Sequence, residues 1–342
     1  MARSDWGIGL VGLGGIAQTH LEGYRRQGLK VIGGADVDPN RIAFTEDRFD
    51  LQFTSTDYRE IIDHPEVKVV DITVPHNSLE ARLPIVEYAA ARGKAIFIQK
   101  PLMPYLEWAQ KLVEAAEKHG APMMVNQNSV FAPGFMVAER FMRDPECMGK
   151  LYYCQIENRA WVNPGPERWY GKDKRWVHAD MAIHHFALIR HWFGEVESVY
   201  AILAKDGSQQ YVNGDTVGAV SVRFKSGMLA LVINNWCYRG NRPRPHSSEE
   251  VIVQGERGSI TCTAQEVHVK LADGRELRPE VKGRWFPDAF GIAMAHFIDA
   301  LDSGRPFLCD ARDNLRSVAM IEATYISAAE NRPVFLDEIL DS

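Results

Sequence analysis

The stretch Gly7-Ile8-Gly9-Leu10-Val11-Gly12-Leu13-Gly14-Gly15-Ile16-Ala17 constrains this chain more than any other. Ile8 to Val11 reads as a short buried strand, and Gln18 to Gln27 reads as a helix. Between them lies the spacing Gly12-x-Gly14-x-x-Ala17. Gly12 permits the tight turn, Gly14 lets the backbone approach a pyrophosphate, and Ala17 is small enough for the helix to pack on the sheet. The helix N-terminus adds free N–H groups and a partial positive charge. A second apolar strand, Lys30 to Ala35, ends in Asp36, 22 positions after Gly14, where a carboxylate meets ribose hydroxyls in a dinucleotide-binding fold.

Strand-like and helix-like segments alternate from there to about residue 125. Asp38-Pro39 starts a helix through Phe49, and a short helix follows near Asp57 to Ile62. The strand Val67 to Val74 stops at Pro75. A helix around Pro84 to Arg92 ends at Gly93, with Pro84 expected in its first turn because an interior proline kinks a helix. Ala95 to Ile98 is the next strand, then Pro104 opens a helix through His119, and Pro122 to Val125 is strand again. Apolar runs in β-α-β alternation mean a parallel, doubly wound sheet covered on both faces.

Beyond residue 125 the pattern changes. Segments 151–160, 196–204, 217–225 and 228–236 read as long strands, and 250–254, 259–263 and 267–271 as shorter ones. Ser226-Gly227 joins one pair as a hairpin, so this sheet is expected to be largely antiparallel. Helices are expected near 133–142, 179–193, 289–302 and 311–330, the last packing on either domain. The division is therefore a domain over 1–125 and an α+β domain over 126–342, in keeping with about two domains for 342 residues.

The net charge of −6 gives no field for nucleic acid or an anionic membrane, and Arg239 to Arg244 is too short a basic patch to change that. Five cysteines without C-x-x-C spacing suggest reduced thiols in the cytoplasm. The first strand begins within six residues, so no leader with a charged start, apolar core and cleavage site is expected, and no apolar run is long enough for a bilayer.

Two places could carry chemistry. Ligands of open α/β sheets bind beyond the carboxyl ends of strands, and Lys100 sits at such an end with a proline after it. An ammonium there could hold a substrate hydroxyl and relay its proton; a surface lysine at a strand end is the plainer reading. The second is the run from Trp176 to His185. If the chain is helical from Ala179, Asp180 and His184 share one face, and a carboxylate beside an imidazole suits acid–base work on an alcohol. A satisfied core histidine is the alternative, and His178, Asp180, His184 and His191 are dense enough to suggest metal, without the tighter spacing a zinc site usually shows. Between Trp161 and Trp176, aromatic residues alternate with polar ones, a pattern suited to a polyhydroxylated ring or equally to an interface.

These residues resemble the glucose–fructose oxidoreductase and inositol dehydrogenase family (Gfo/Idh/MocA) over nearly the full length. Gly93 to Leu102, G-K-A-I-F-I-Q-K-P-L, looks like that family's G-K-H-V-x-x-E-K-P-L, and Asp180 to His184, D-M-A-I-H, looks like its D-x-G-x-H. The ending from Gly304-Arg305-Pro306 to Pro333-Val334 has the family's look as well. The resemblance implies a Rossmann domain, then a domain whose open sheet is substrate wall and oligomer interface. It also implies that Lys100, Asp180 and His184 serve hydride and proton transfer. Three positions depart from the pattern. Gln99 replaces the usual Glu, removing a negative charge beside Lys100; Ala187 stands where many members carry a further Asp; Ala182 occupies the glycine slot.

The expectation is an NAD-dependent dehydrogenase acting on a secondary hydroxyl of a cyclitol, sugar or glycoside, working as a homodimer or homotetramer without nucleic acid or membrane. Its alternatives are an NAD-retaining, glycoside-cleaving enzyme and a non-catalytic sugar and dinucleotide sensor. Cofactor contacts are expected from Gly12, Gly14, Gly15, Ile16, Asp36, Val74, Gln99 and Lys100, and substrate contacts from Lys100, Trp161, Trp176, Asp180 and His184. Asp36 favours NAD over NADP, while Arg41 keeps NADP open.

Overall fold

The computed structural model describes residues 5–240 and 248–341. In chain order its elements are β1 (Gly7–Val11), α1 (Gly15–Gln27), β2 (Val31–Ala35), α2 (Pro39–Glu46), β3 (Phe53–Ser55), α3 (Tyr58–Asp63), β4 (Val67–Ile72), α4 (Leu79–Ala91), β5 (Ala95–Gln99), α5 (Leu106–Glu117) and β6 (Met123–Asn126). They continue with α6 (Pro133–Met142), β7 (Leu151–Arg159), α7 (Val177–Asp180), α8 (Ala182–Phe193), β8 (Val196–Ala204), β9 (Val217–Phe224), β10 (Leu229–Asn235), β11 (Ser248–Gly255), β12 (Gly258–Cys262), β13 (Val267–Leu271) and β14 (Glu276–Leu277). The last are α9 (Asp288–Ser303), α10 (Ala311–Glu330), β15 (Val334–Phe335) and α11 (Leu336–Leu340). Arg239 and Gly240 of the basic patch are described, and residues 241–244 lie outside the described residues.

Two compact units result: 1–131 with 286–315, and 132–285 with 316–342. Neither is continuous in sequence, whereas the reading above divided the chain once, at 125. The return of 286–315 to the first unit has a packing cause. A Cβ on Gly23 of α1 would lie 2.7 Å from the Gly291 nitrogen of α9, and one on Gly291 would lie 2.2 Å from the Gly23 oxygen. Glycine on both helices is what lets their backbones touch. Helix α10 begins in the first unit and passes into the second after Leu315.

The first unit holds a six-stranded sheet, β3-β2-β1-β4-β5-β6, every pair parallel. Its central strands bury residues on both faces, Ile8 and Leu10 in β1 and Val69, Val70 and Ile72 in β4. That is why they read as apolar runs without alternation. Helix α4 corrects the expectation for Pro84. It starts at Leu79, because Ser78 caps it by accepting the Ala81 N–H at 3.1 Å, so Pro84 lies inside it. Ile85, Val86, Ala89 and Ala90 are buried and hold the helix through the lost backbone bond.

The second unit holds a nine-stranded sheet, β14-β13-β12-β11-β7-β10-β9-β8-β15, antiparallel except where β7 runs parallel to β10. The Ser226-Gly227 hairpin forms as expected, with Gly227 at φ +84° and β9 and β10 in register from Phe224 outward. One face is closed: Cys154, Ile156, Val220, Val222, Val232, Val251 and Val253 point inward and are buried. On β8, β9 and β10 the opposite face carries Tyr200, Ile202, Ser221, Arg223, Leu229 and Leu231, none of them buried. The helix expected over 179–193 is broken in two at Met181, so Asp180 ends α7 and His184 sits in the first turn of α8.

Candidate active site

In the first unit the sheet's carboxyl ends collect the predicted cofactor residues. Gly12 turns out of β1 at φ +92°, where a Cβ would press to 3.1 Å from both Thr73 Oγ1 and the Val74 nitrogen. Thr73 Oγ1 donates to the Gly12 oxygen at 2.5 Å, tying this turn to the segment after β4 that carries Val74. Gly14 is the N-cap of α1, makes no side-chain capping bond, and is followed by a first turn without an acid. A Cβ on Gly15 would meet nothing within 4 Å. Gly15 and Ile16 thus begin a helix whose end faces open space with uncapped N–H groups, a fit for a pyrophosphate. Asp36 follows β2, with Oδ2 accepting the Leu13 N–H at 2.7 Å and Oδ1 the Asp38 N–H at 2.9 Å. These bonds fix the carboxylate at the glycine turn and leave lone pairs for ribose hydroxyls. Arg41 Nη1 stands 3.4 Å from Asp36 Oδ2 with its side chain 53% exposed. The residues fit a dinucleotide.

Gln99 ends β5 and Lys100 follows it, half-buried, through a cis bond to Pro101. Gln99 faces inward. Its Oε1 accepts from Asn126 Nδ2 at 2.9 Å and lies 3.1 Å from His20 Nε2. His20 Nδ1 donates to Asp71 Oδ2 at 2.7 Å, and Tyr24 donates its hydroxyl to the same oxygen at 2.6 Å. Burial, then Asp71, pushes the Tyr24 phenol far above its ordinary range, so it remains a donor. Nothing in the local sequence linked His20, Tyr24, Asp71 and Asn126, because they come from α1, β4 and β6. Arg82 was also missed. It is 1% exposed and donates to three backbone carbonyls.

In the second unit Asp215 organises the segment before Asp180. Its carboxylate accepts the Trp176 N–H at 3.1 Å, the His178 N–H at 3.1 Å, His178 Nδ1 at 2.5 Å and the Tyr325 hydroxyl at 2.5 Å. Burial works to raise the Asp215 carboxyl, but the donors from His178, Tyr325 and Trp176 outweigh it and hold it below the usual range. A carboxylate–imidazole contact of the kind the sequence suggested for Asp180 and His184 is present at His178 with Asp215, and His178 was weighed there only as a metal ligand. His191 Nε2 lies 3.0 Å from Glu139. Among the described residues no group of three or more His, Cys, Asp or Glu side chains is placed to hold a metal ion.

His184 is 4% exposed, its ring edge-on to Trp285 at 5.4 Å, and Asp180 is half-buried. The tryptophans divide. Trp161 is 42% exposed, with the Arg239 guanidinium 4.0 Å from its ring centroid. Trp176 is 1% exposed and packs edge-on to Trp236 at 5.1 Å, so its ring offers no open face for stacking. Its indole Nε1 is buried without a partner. Lys100 belongs to the first unit, and Asp180 and His184 to the second.

Residues 6–127 match the profile of the oxidoreductase family, NAD-binding Rossmann fold (Gfo/Idh/MocA), and residues 146–336 match the same family's C-terminal alpha/beta domain. The chain belongs to the Gfo/Idh/MocA family. This Gfo/Idh/MocA protein is an oxidoreductase acting on CH–OH groups, and its first unit is built on an NAD-binding Rossmann fold. It is 26% identical to D-apiose dehydrogenase of Paraburkholderia graminis, over 96% of this chain and 89% of that protein. It is 26% identical to myo-inositol 2-dehydrogenase of Thermotoga maritima, over 97% and 99%. Levoglucosan dehydrogenase, solved in complex with NADH and levoglucosan, shares the fold at a TM-score of 0.86 and 21% identity, covering 97% of this chain and 99% of that one. Among the described residues no helix is long and apolar enough to cross a membrane, and all five cysteines are free thiols.

Proposed function

We propose that the protein is an NAD-dependent dehydrogenase that oxidises a secondary hydroxyl of a cyclitol, sugar or glycoside. The observation that carries this is the placement of Lys100 directly after β5, at the carboxyl end of a sheet built on an NAD-binding fold. The names of the relatives, which act on apiose and inositol, support the substrate class. Bound NAD supplies the hydride acceptor. The Lys100 amine holds the substrate hydroxyl and relays its proton, His184 shares that proton, and Asp180 orients and charge-balances the imidazole. Gly12, Gly14, Gly15 and Ile16 hold the pyrophosphate, and Asp36 holds the ribose and repels a 2′-phosphate. Val74 and Gln99 complete the cofactor contacts, and Trp161 and Trp176 border the substrate, Trp176 through its indole N–H.

The outer face of the nine-stranded sheet supports a homo-oligomer. Ile202, Leu229 and Phe335 are exposed there, around a groove of about 370 Å³ lined by Tyr153, Tyr200 and Leu231. The substrate class is tested by a panel of inositols, aldoses and glycosides assayed with NAD and NADP separately. NADH formation with a cyclic polyol supports it, and binding of such a polyol without any oxidation contradicts it.

A further inference from the structure

We propose that Arg82 is a positioning residue that sets the turn carrying Lys100 against the segment after β4, an inference that rests on reading Lys100 as the proton-handling group. Arg82 lies one turn into α4, in the same unit as Lys100. Its Nε and Nη2 donate to the Val74 oxygen at 2.9 and 2.7 Å, and its Nη1 donates to the Pro101 and Leu102 oxygens at 2.7 Å each. Among the described residues no carboxylate pairs with it, and burial alone lowers its basicity to about 9, which leaves it a cation at neutral pH. A buried charge without a counter-ion is costly and is tolerated when its donors are satisfied. Here all of those donors point at main-chain carbonyls of two strand ends.

Those strand ends belong to neighbours, since β4 and β5 pair in parallel up to Ile72 and Ile98. Past that register no ladder ties the two segments, and the Arg82 fork bridges them instead. A guanidinium presents its donors in one rigid plane, so it fixes the separation of the carbonyls it holds. The Pro101 carbonyl is one residue beyond Lys100, so moving it reorients the backbone from which the amine projects. Lysine cannot replace this arrangement. A single ammonium offers its donors from one point and cannot span from Val74 to both Pro101 and Leu102 in the same directions.

The test compares the wild-type protein with Arg82→Lys and Arg82→Ala, both saturated with NADH or NAD. With a polyol from the panel, Arg82→Lys should lose about tenfold to a hundredfold in kcat with KM little changed, as misplacement of a reacting group does. In Arg82→Ala, added guanidinium ion below denaturing concentration should restore part of kcat saturably. Independently of turnover, amide hydrogen exchange over residues 100–103 should quicken by about tenfold in Arg82→Lys while β5 keeps its protection. If no polyol is oxidised by the wild-type protein, the reading of Lys100 fails, and exchange at 100–103 still decides the role of Arg82. Should Arg82→Ala fail to fold, the lysine variant decides alone. A folded Arg82→Lys protein with wild-type kcat, or with wild-type exchange at 100–103, overturns the proposal.

Discussion

His20 Nδ1 lies 2.7 Å from Asp71 Oδ2, and neither side chain reaches solvent. The pair forms the floor beneath Gln99, because the other ring nitrogen faces the Gln99 amide oxygen at 3.1 Å. The buried carboxylate in this network is Asp71 of β4, linked to the neutral Gln99 amide through the His20 ring. Substituting His20→Leu leaves Asp71 buried with one donor fewer. It should cost about 3 kcal/mol of stability, the size expected for breaking a buried pair. Urea denaturation measures this, and an unchanged midpoint would show that the pair carries no such load.

In the proposed cofactor site, Asp36 and Arg41 set the choice between NAD and NADP. Their contact at 3.4 Å places a guanidinium next to the carboxylate that would repel a 2′-phosphate. Asp36→Ser should shift the ratio of kcat/KM for NADP over NAD upward by about tenfold or more, one tenfold step being about 1.4 kcal/mol. Steady-state assays with both cofactors read the ratio directly. If it does not move, the carboxylate is not what selects NAD.

Asp215 makes stability depend on acid. Its carboxyl is held below the usual range in the folded state, so the stability it contributes is present above the unfolded value of about 3.9 and is lost as pH falls through the folded one. Asp215→Asn should therefore lower the melting temperature near neutrality, and the gap to the wild-type protein should shrink below about pH 4. Thermal melts across that range supply the check. A gap that grew in acid would mean the carboxylate is not held by His178 and Tyr325.

Assembly is tested on the open face of the second sheet. Leu231 lies on the outward face of β10, half-buried and lining the groove, on the face proposed to meet a second copy. Leu231→Asp should convert a dimer or tetramer to a smaller species in sedimentation velocity with little change in circular dichroism, since a like charge would then face itself across a two-fold interface. A wild-type protein that sediments as a monomer would remove the premise.

Much of the first unit was legible because its strands are buried on both faces and its glycine turn has few alternatives. The register of Gly12, Asp36 and Lys100 at strand ends follows from that pattern alone. Helix α4 was misjudged at its start because Pro84 is an interior proline, tolerated by the packing of Ile85 and Val86, and packing is not local information. The break at Met181 was invisible for a related reason. Ala179, Met181 and Ala182 are good helix formers with no glycine or proline among them, and what ties the preceding turn is Asp215, 34 positions beyond Met181. Arg82, His20 and Asp71 carry no spacing signal, since each acts on groups that only the fold brings near. The short strands β3, β14 and β15 were missed because two or three residues show no periodicity.

The central claim is that the Lys100 amine handles the proton of the substrate hydroxyl. Its most direct test is single-turnover reduction of NAD by a polyol substrate in Lys100→Met, alongside a fluorescence titration of NADH binding. Turnover lower by about a hundredfold or more, with NADH affinity retained, is the predicted result. Wild-type turnover in that variant would contradict it.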